Sequence, residues 1–174
     1  MLLPVEGEPM VRRIVARALD AGLAPVLVVV GADSAAVREA LLGLDCVFVE
    51  SDDPSGPTSA SLHAGIRELG PEARVDAALV LLADMVHVTS TMIRALVAAA
   101  RKGQAPLEVS RYGDVFAPPL LFRRTLWSEL LEYRGDGCGK SVVLAHRDEA
   151  GIHEWPAADL QDVDTPADYE ALVR

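Results

Sequence analysis

Apolar residues in this chain follow two rhythms. Val11, Ile14, Val15, Ala18 and Leu19 recur at helical spacing behind Gly7-Glu8-Pro9 and stop at Gly22. That predicts a helix with Pro near its first turn, where the missing N–H costs little. Pro25 to Val30 is instead a continuous run rich in Val, as expected of a strand buried on both faces. The alternation continues down the chain. A helix is predicted from Asp33-Ser34 to about Leu42, a short strand over Cys46–Val49, and a polar loop from Glu50 to Thr58. Ser59–Leu69 then reads as helix and Ala77–Leu82 as a second buried strand ending at Ala83-Asp84. Thr89 or Ser90 caps a helix whose stripe includes Met92, Ile93, Leu96, Val97 and Ala100.

The second half is less regular. Leu107–Arg111 and Val115–Phe122 read as strands about Gly113-Asp114, with Pro118-Pro119 limiting their pairing. Arg124–Leu131 and Lys140–Ala145 read as helices around the turn Arg134-Gly135-Asp136-Gly137. Thr165-Pro166-Ala167-Asp168 opens a final helix with a capping Thr, Pro in the first position and an acid at the third. Strands alternating with helices predict an α/β fold, with a mainly parallel sheet and right-handed crossovers. No repeat, low-complexity stretch or long linker divides residues 1–174, so one domain is expected.

Composition narrows the function classes. No apolar run approaches the roughly 18–20 residues that span a bilayer. The start, Met1 to Glu6, has no basic n-region or cleavage signature, and Cys46 and Cys138 form no CxxC pair. A reduced cytoplasmic protein with no membrane partner is expected. The formal net charge of −10 repels phosphate polymers, which argues against nucleic acid as a partner. A triphosphate would need a bridging cation, so a metal ion belongs to any nucleotide-binding reading.

Four segments could carry chemistry. Asp84 follows an apolar strand, so it emerges at the strand's carboxyl end, where ligands bind in open α/β sheets. A carboxylate there suits Mg²⁺, and it equally suits a plain helix-capping turn. Asp162-Val163-Asp164 places two acids before a capped helix; in extended backbone they point to opposite faces. Gly56-Pro57-Thr58-Ser59-Ala60-Ser61 puts small residues at a helix start, where free N–H groups meet an anion or cap themselves. Lys140, behind Gly135-Asp136-Gly137-Cys138-Gly139, could meet a phosphate as a point charge or be solvated. Cys138 has no His-Asp or His-Asn arrangement around it. His63, His87, His146 and His153 show no metal-ligand spacing, so packing or surface roles are expected.

The order of these segments resembles the MobA-like nucleotidyltransferases. Leu2 to Met10, the helix to Ala21-Gly22 and Val26 to Gly31 look like that family's opening after its glycine loop. Ser59-Ala60-Ser61-Leu62-His63-Ala64-Gly65 resembles its Ser-rich segment, and Leu81-Leu82-Ala83-Asp84-Met85 its metal-binding aspartate. Gly135 to Lys140 resembles its Gly-Asp-x-Gly-x-Arg/Lys stretch, and Asp162 to Tyr169 its closing Asp-x-Asp-Thr-Pro-x-Asp-Leu. The resemblance implies a Rossmann-like three-layer fold of the nucleotidyltransferase type. It also implies transfer of a nucleoside monophosphate from CTP or GTP to a phosphorylated acceptor such as molybdopterin cofactor. By that likeness Asp84, with Asp162 or Asp164, holds Mg²⁺. Gly56, Ser59 and Ser61 lie by the nucleotide, and Lys140 acts at acceptor or phosphate. The reading leaves homo-oligomerisation open.

The chain departs from the pattern in three places. The family begins with an apolar strand and a loop like Leu-Ala-Ala-Gly-x-Ser-x-Arg-Met-Gly, then a Lys; Met1 stands roughly where that Lys would be. Val86 follows Asp84-Met85 where the family has Pro, and Phe116-Ala117-Pro118 replaces Gly-His-Pro. Without the loop, weak NTP binding and poor turnover are expected, with Lys140, Arg12 and Arg13 as the substitutes for its cations. A misplaced start and a degenerate relative both fit. So do a non-catalytic nucleotide- or partner-binding protein and a guanylyltransferase acting on a phospholactate-type acceptor. The resemblance also implies that the absent strand is central, between Pro25–Val30 and Ala77–Leu82. Those two strands should therefore pair directly or flank a slot.

Overall fold

The computed structural model describes residues 1–31, 34–70, 74–161, 163 and 165–172. The chain opens with a small antiparallel hairpin, β1 (Pro4–Val5) and β2 (Glu8–Pro9). Helix α1 (Met10–Asp20) starts one residue later with Pro9 as its N-cap. The helix predicted behind Gly7 is present, but Gly7 and Glu8 belong to the hairpin. β3 (Leu27–Val30), α2 (Ala35–Ala40) and β4 (Val47–Glu50) form a right-sized crossover that pairs β3 and β4 in parallel, Leu27 opposite Val47. α3 (Thr58–Leu69) leads to β5 (Ala77–Val80), and α4 (Ser90–Lys102) follows. Of the two residues expected to cap α4, Thr89 does so: its hydroxyl accepts the Met92 N–H at 3.2 Å.

β6 (Leu107–Tyr112) and β7 (Val115–Arg123) form a hairpin. After a 3-10 turn come α5 (Trp127–Glu132), α6 (Lys140–Ala145), β8 (Gly151–Trp155) and α7 (Pro166–Leu172). Strand order is β5-β7-β6-β8 in one sheet and β3-β4 in another. Directions are mixed: β3/β4 and β6/β8 run parallel, and β5/β7 and β6/β7 antiparallel. Pro118 and Pro119 mark a bulge, because pairing steps from Val109–Leu120 to Ser110–Ala117. Their carbonyls are taken by buried side chains, Tyr112 Oη to Pro118 O and Ser110 Oγ to Pro119 O, both at 2.9 Å.

Side chains alternate across the strands and build a core on each face. Val28 and Val30 join Val11, Ile14 and Val15 of α1, Val37 of α2 and Ile93 of α4. On the other face Ala78, Val109, Leu120 and Phe122 pack with Ile66 of α3, Leu130 of α5 and Val143 of α6. The result is the three-layer arrangement expected, helices on both sides of the strands. Among the described residues the two sheets are not hydrogen-bonded to each other. Among the described residues no backbone hydrogen bond joins β3 to β5, and a cavity of about 890 Å³ lies between them.

Candidate active site

β5 delivers its chain into the turn Ala83–Val88, with Asp84 half-buried near its start. Met85, Val86 and Val88 are buried and tie that turn to the core. Arg17 of α1 closes it, donating from Nη1 to the carbonyls of Val86 at 2.7 Å and Val88 at 2.6 Å. Burial, and then the like charge of Arg13, lower the pKa of this guanidinium, with Glu6 opposing. The sequence does hold a signal for Arg17. It lies on the same helical stripe as Met10 and Ile14, so a charge there must find a partner inside.

The segment before α7 reaches the same turn. His87 Nε2 and Gln161 Oε1 are 3.1 Å apart, and Val163 packs with Val5, Met10 and Val86. Asp162 and Asp164 lie outside the described residues. Their neighbours Gln161 and Val163 therefore carry the observation that this segment and the Asp84 turn adjoin. Among the described residues no three ligand-type side chains gather as a metal cluster.

The two glycine-containing segments singled out in the sequence also meet. Asp136 Oδ1 accepts the Thr58 N–H at 2.9 Å and the Thr58 hydroxyl at 3.2 Å, from 78 residues further along the chain. Ser59 N–H donates to Gly135 O at 3.1 Å, and the Ser59 hydroxyl accepts the Gly135 N–H at 3.2 Å. Asp136 thus caps α3, and Ser59, 1% exposed, locks the two segments together. Tyr133 Oη donates to Asp136 O and braces the turn. Burial raises the Tyr133 pKa first, then the nearby acidic groups of Cys138 and Asp136.

Ser61 and Thr58 line the cavity, as do Leu82, Ala83 and Cys138. Gly56 is exposed, with Asp53 Oδ2 at 2.1 Å from where a Cβ would sit. Lys140 is exposed at the start of α6, its N–H donating to Gly137 O at 3.0 Å. Arg12 and Arg13, considered as replacements for missing cations, are engaged elsewhere. Arg12 donates to Ala40 O and Leu42 O, and Arg13 to Val5 O and the Glu6 carboxylate. The histidines have structural partners: His63 Leu130 O, His146 Glu129 and His153 Glu108.

The family model for the MobA-like NTP transferase domain matches residues 1–150. Over 99 residues the chain is 35% identical to the 3-deoxy-manno-octulosonate cytidylyltransferase of Paramagnetospirillum magneticum, covering 56% of this chain and 39% of that protein. The crystal structure of Rv0371c from Mycobacterium tuberculosis H37Rv shares 27% identity, with a TM-score of 0.81 over 99% of this chain and 87% of its own. The same protein in complex with manganese superposes with a TM-score of 0.76, at 27% identity over 99% and 90% of the two chains. A family match over residues 1–150 of 174, on a fold that superposes along nearly the whole chain, means that this protein belongs to the MobA-like NTP transferase family.

Proposed function

We propose that the domain transfers a nucleoside monophosphate from CTP or GTP to a phosphorylated small-molecule acceptor, of which molybdopterin cofactor is one candidate, and releases pyrophosphate. One observation carries this reading. A single cavity is lined by Thr58 and Ser61 at the start of α3 and by Leu82 and Ala83 leading into Asp84. A nucleotide held along Ser61 would therefore reach the Asp84 turn without leaving the cavity. The manganese complex of the Mycobacterium tuberculosis relative supports a divalent ion as cofactor.

The residues fit such an ion. The Asp84 carboxylate is a hard oxygen donor suited to Mg²⁺ or Mn²⁺, and Asp162 or Asp164 would complete the set from the segment that adjoins its turn. When bound, a divalent ion neutralises charge developing on the phosphates. The protein's own contribution is position. Arg17 fixes the turn that carries Asp84, and Asp136 and Ser59 fix the start of α3 against the turn that carries Lys140. Lys140, exposed and on that braced turn, offers a cation to acceptor or phosphate.

Turnover by the chain as it stands is proposed to be low. The first N–H of α3 already serves the Asp136 carboxylate, and Arg12 and Arg13 serve other groups, so these donors are not offered to a triphosphate. The test is Mn²⁺ binding followed by electron paramagnetic resonance, together with pyrophosphate release from CTP and GTP. Asp84→Asn should lose Mn²⁺ affinity by about tenfold or more, with the melting temperature of the metal-free protein measured beside it. Unchanged Mn²⁺ affinity in Asp84→Asn overturns the assignment, and rapid pyrophosphate release by the unaltered chain overturns the low-turnover part.

A further inference from the structure

A second pocket, of about 530 Å³, lies against the turn that follows Asp84 and shares no lining residue with the cavity between the sheets. Arg13 and Arg17 are one helical turn apart on α1, so their guanidinium groups leave the same face of the helix, and both line this pocket. Its apolar walls are Val5 of the hairpin, Val86 of the turn and Leu172 of α7. Tyr169 Oη of α7 donates to Pro4 O at 2.6 Å, which ties the α7 wall to the hairpin wall.

The pocket is a basic spot on an acidic chain. Against a formal net charge of −10, two guanidinium groups here face one carboxylate, that of Glu6. His87, the other titratable side chain on the wall, has its Nε2 3.1 Å from Gln161 Oε1. Glu6 answers the pair weakly: its Oε2 meets Arg13 Nη2 at 2.7 Å, and its side chain is 77% exposed. Arg13 Nη1 donates to Val5 O at 3.1 Å, while Arg13 Nε is buried without a hydrogen-bond partner. The fork formed by Nε and Nη2 is thus half used. Arg17 commits Nη1 alone, to Val86 O and Val88 O, and among the described residues its Nε and Nη2 make no hydrogen bond. Thr89 keeps a hydroxyl hydrogen to give, since its oxygen is the group that accepts the Met92 N–H. Donors therefore outnumber acceptors, and two like charges one helical turn apart repel. A further anion corrects both.

We propose that this pocket binds the oxyanion of a small molecule, a phosphate or a carboxylate, on the paired guanidinium groups of Arg13 and Arg17, with the Glu6 side chain giving way to it. A guanidinium offers two parallel N–H groups to two oxygens of such an anion. Arg13 Nε and Nη2 become that fork once Glu6 leaves Nη2, and Nη1 stays with Val5 O. Arg17 offers Nε and Nη2 while Nη1 keeps the carbonyls of Val86 and Val88. The ligand's apolar part rests on Val5, Val86 and Leu172. Occupancy gives Arg17 a counter-charge and so firms the turn that carries Asp84. Binding here is separate from the nucleotidyl-transfer reading and stands if that reading fails.

The experiment is side-chain NMR of the metal-free chain, titrated with inorganic phosphate and separately with acetate, at an ionic strength held constant with chloride. The Nε–H signals of Arg13 and Arg17 should move together and saturate with one dissociation constant. The tighter of the two probes names the class of oxyanion. Glu6→Gln removes the side chain that must give way, and it should tighten binding by about threefold to fivefold. Arg13→Gln should weaken binding, read at the Arg17 signal, by about tenfold or more. Failure of both probes to saturate the two signals overturns the proposal. So does binding that Glu6→Gln leaves unchanged, or an Arg17 signal that saturates at the same constant in Arg13→Gln. If Arg13→Gln does not fold, the Glu6→Gln comparison decides alone.

Discussion

Gly139 offers a direct test of the turn that braces the site. Its φ is +85°, and a Cβ built there falls 2.8 Å from Leu130 Cδ2 and 3.5 Å from Phe122 Cζ. Leu130 and Phe122 are both fully buried, so neither can swing away into solvent. Gly139→Ala meets two costs: about 1–2 kcal/mol for an L-residue in left-handed backbone, and about 1–3 kcal/mol for overpacking. A combined loss of about 3 kcal/mol lowers the melting temperature of a domain this size by roughly 6–12 °C. Gly137→Ala isolates the first cost, because its φ is +97° but its nearest foreign atom is Lys140 Cβ at an ordinary 3.4 Å. The assay is thermal and urea unfolding of both variants, with the urea slope checked so that the shift reports stability. Gly139→Ala should fall below Gly137→Ala by the packing cost alone. If the two melt together, Leu130 and Phe122 do not hold the turn.

Arg17→Met should cost about 2–4 kcal/mol in urea, since it strips a charged donor from the carbonyls of Val86 and Val88 beside two buried side chains. Tyr112→Phe should cost about 1–3 kcal/mol by leaving the buried Pro118 carbonyl without the hydroxyl that it accepts from. His146 supplies a pH signature. Its hydrogen bond to Glu129 raises its pKa in the folded state, against desolvation. The folded protein therefore holds that proton more tightly than the unfolded chain. The gain is full below the unfolded value of about 6.5 and is lost as pH rises through the raised folded value. His146→Gln should flatten the fall in melting temperature between mildly acidic and alkaline pH, and an unchanged slope would exclude the pair as its source.

The elements with a clear period were legible in the sequence. α1 and β3 appear where Val11–Leu19 and Pro25–Val30 placed them, within a residue or two of the predicted ends. β8 was not legible. In Gly151-Ile152-His153-Glu154-Trp155 the most exposed apolar residue is Ile152, so the strand's pattern points its hydrophobe outward. Its place is set by pairing with β6, a tertiary effect that a local window does not contain. Strand direction escaped the sequence for a related reason: β7 lies between β5 and β6, so chain order does not match sheet order. At the site, the position of Asp84 was legible, because an apolar strand leads into its turn. The cap that Asp136 supplies to α3 was not, because nothing local in Thr58 asks for a partner 78 residues away.

The β6–β7 hairpin has a consequence for how the molecule forms. Tyr112 and Val115 pair directly across Gly113-Asp114, so this piece of the four-stranded sheet closes a very short loop. β5 and β8 each join it across an intervening helix-bearing segment, which costs more chain entropy before any contact is rewarded. The hairpin is thus the natural nucleus, with its two neighbours docking later on opposite edges. Weakening Val109 or Leu120 should slow refolding, while weakening the β8 edge at Ile152 should chiefly quicken unfolding. The strands that carry Asp84 and support the closing segment would then be the last to arrive and the first to leave.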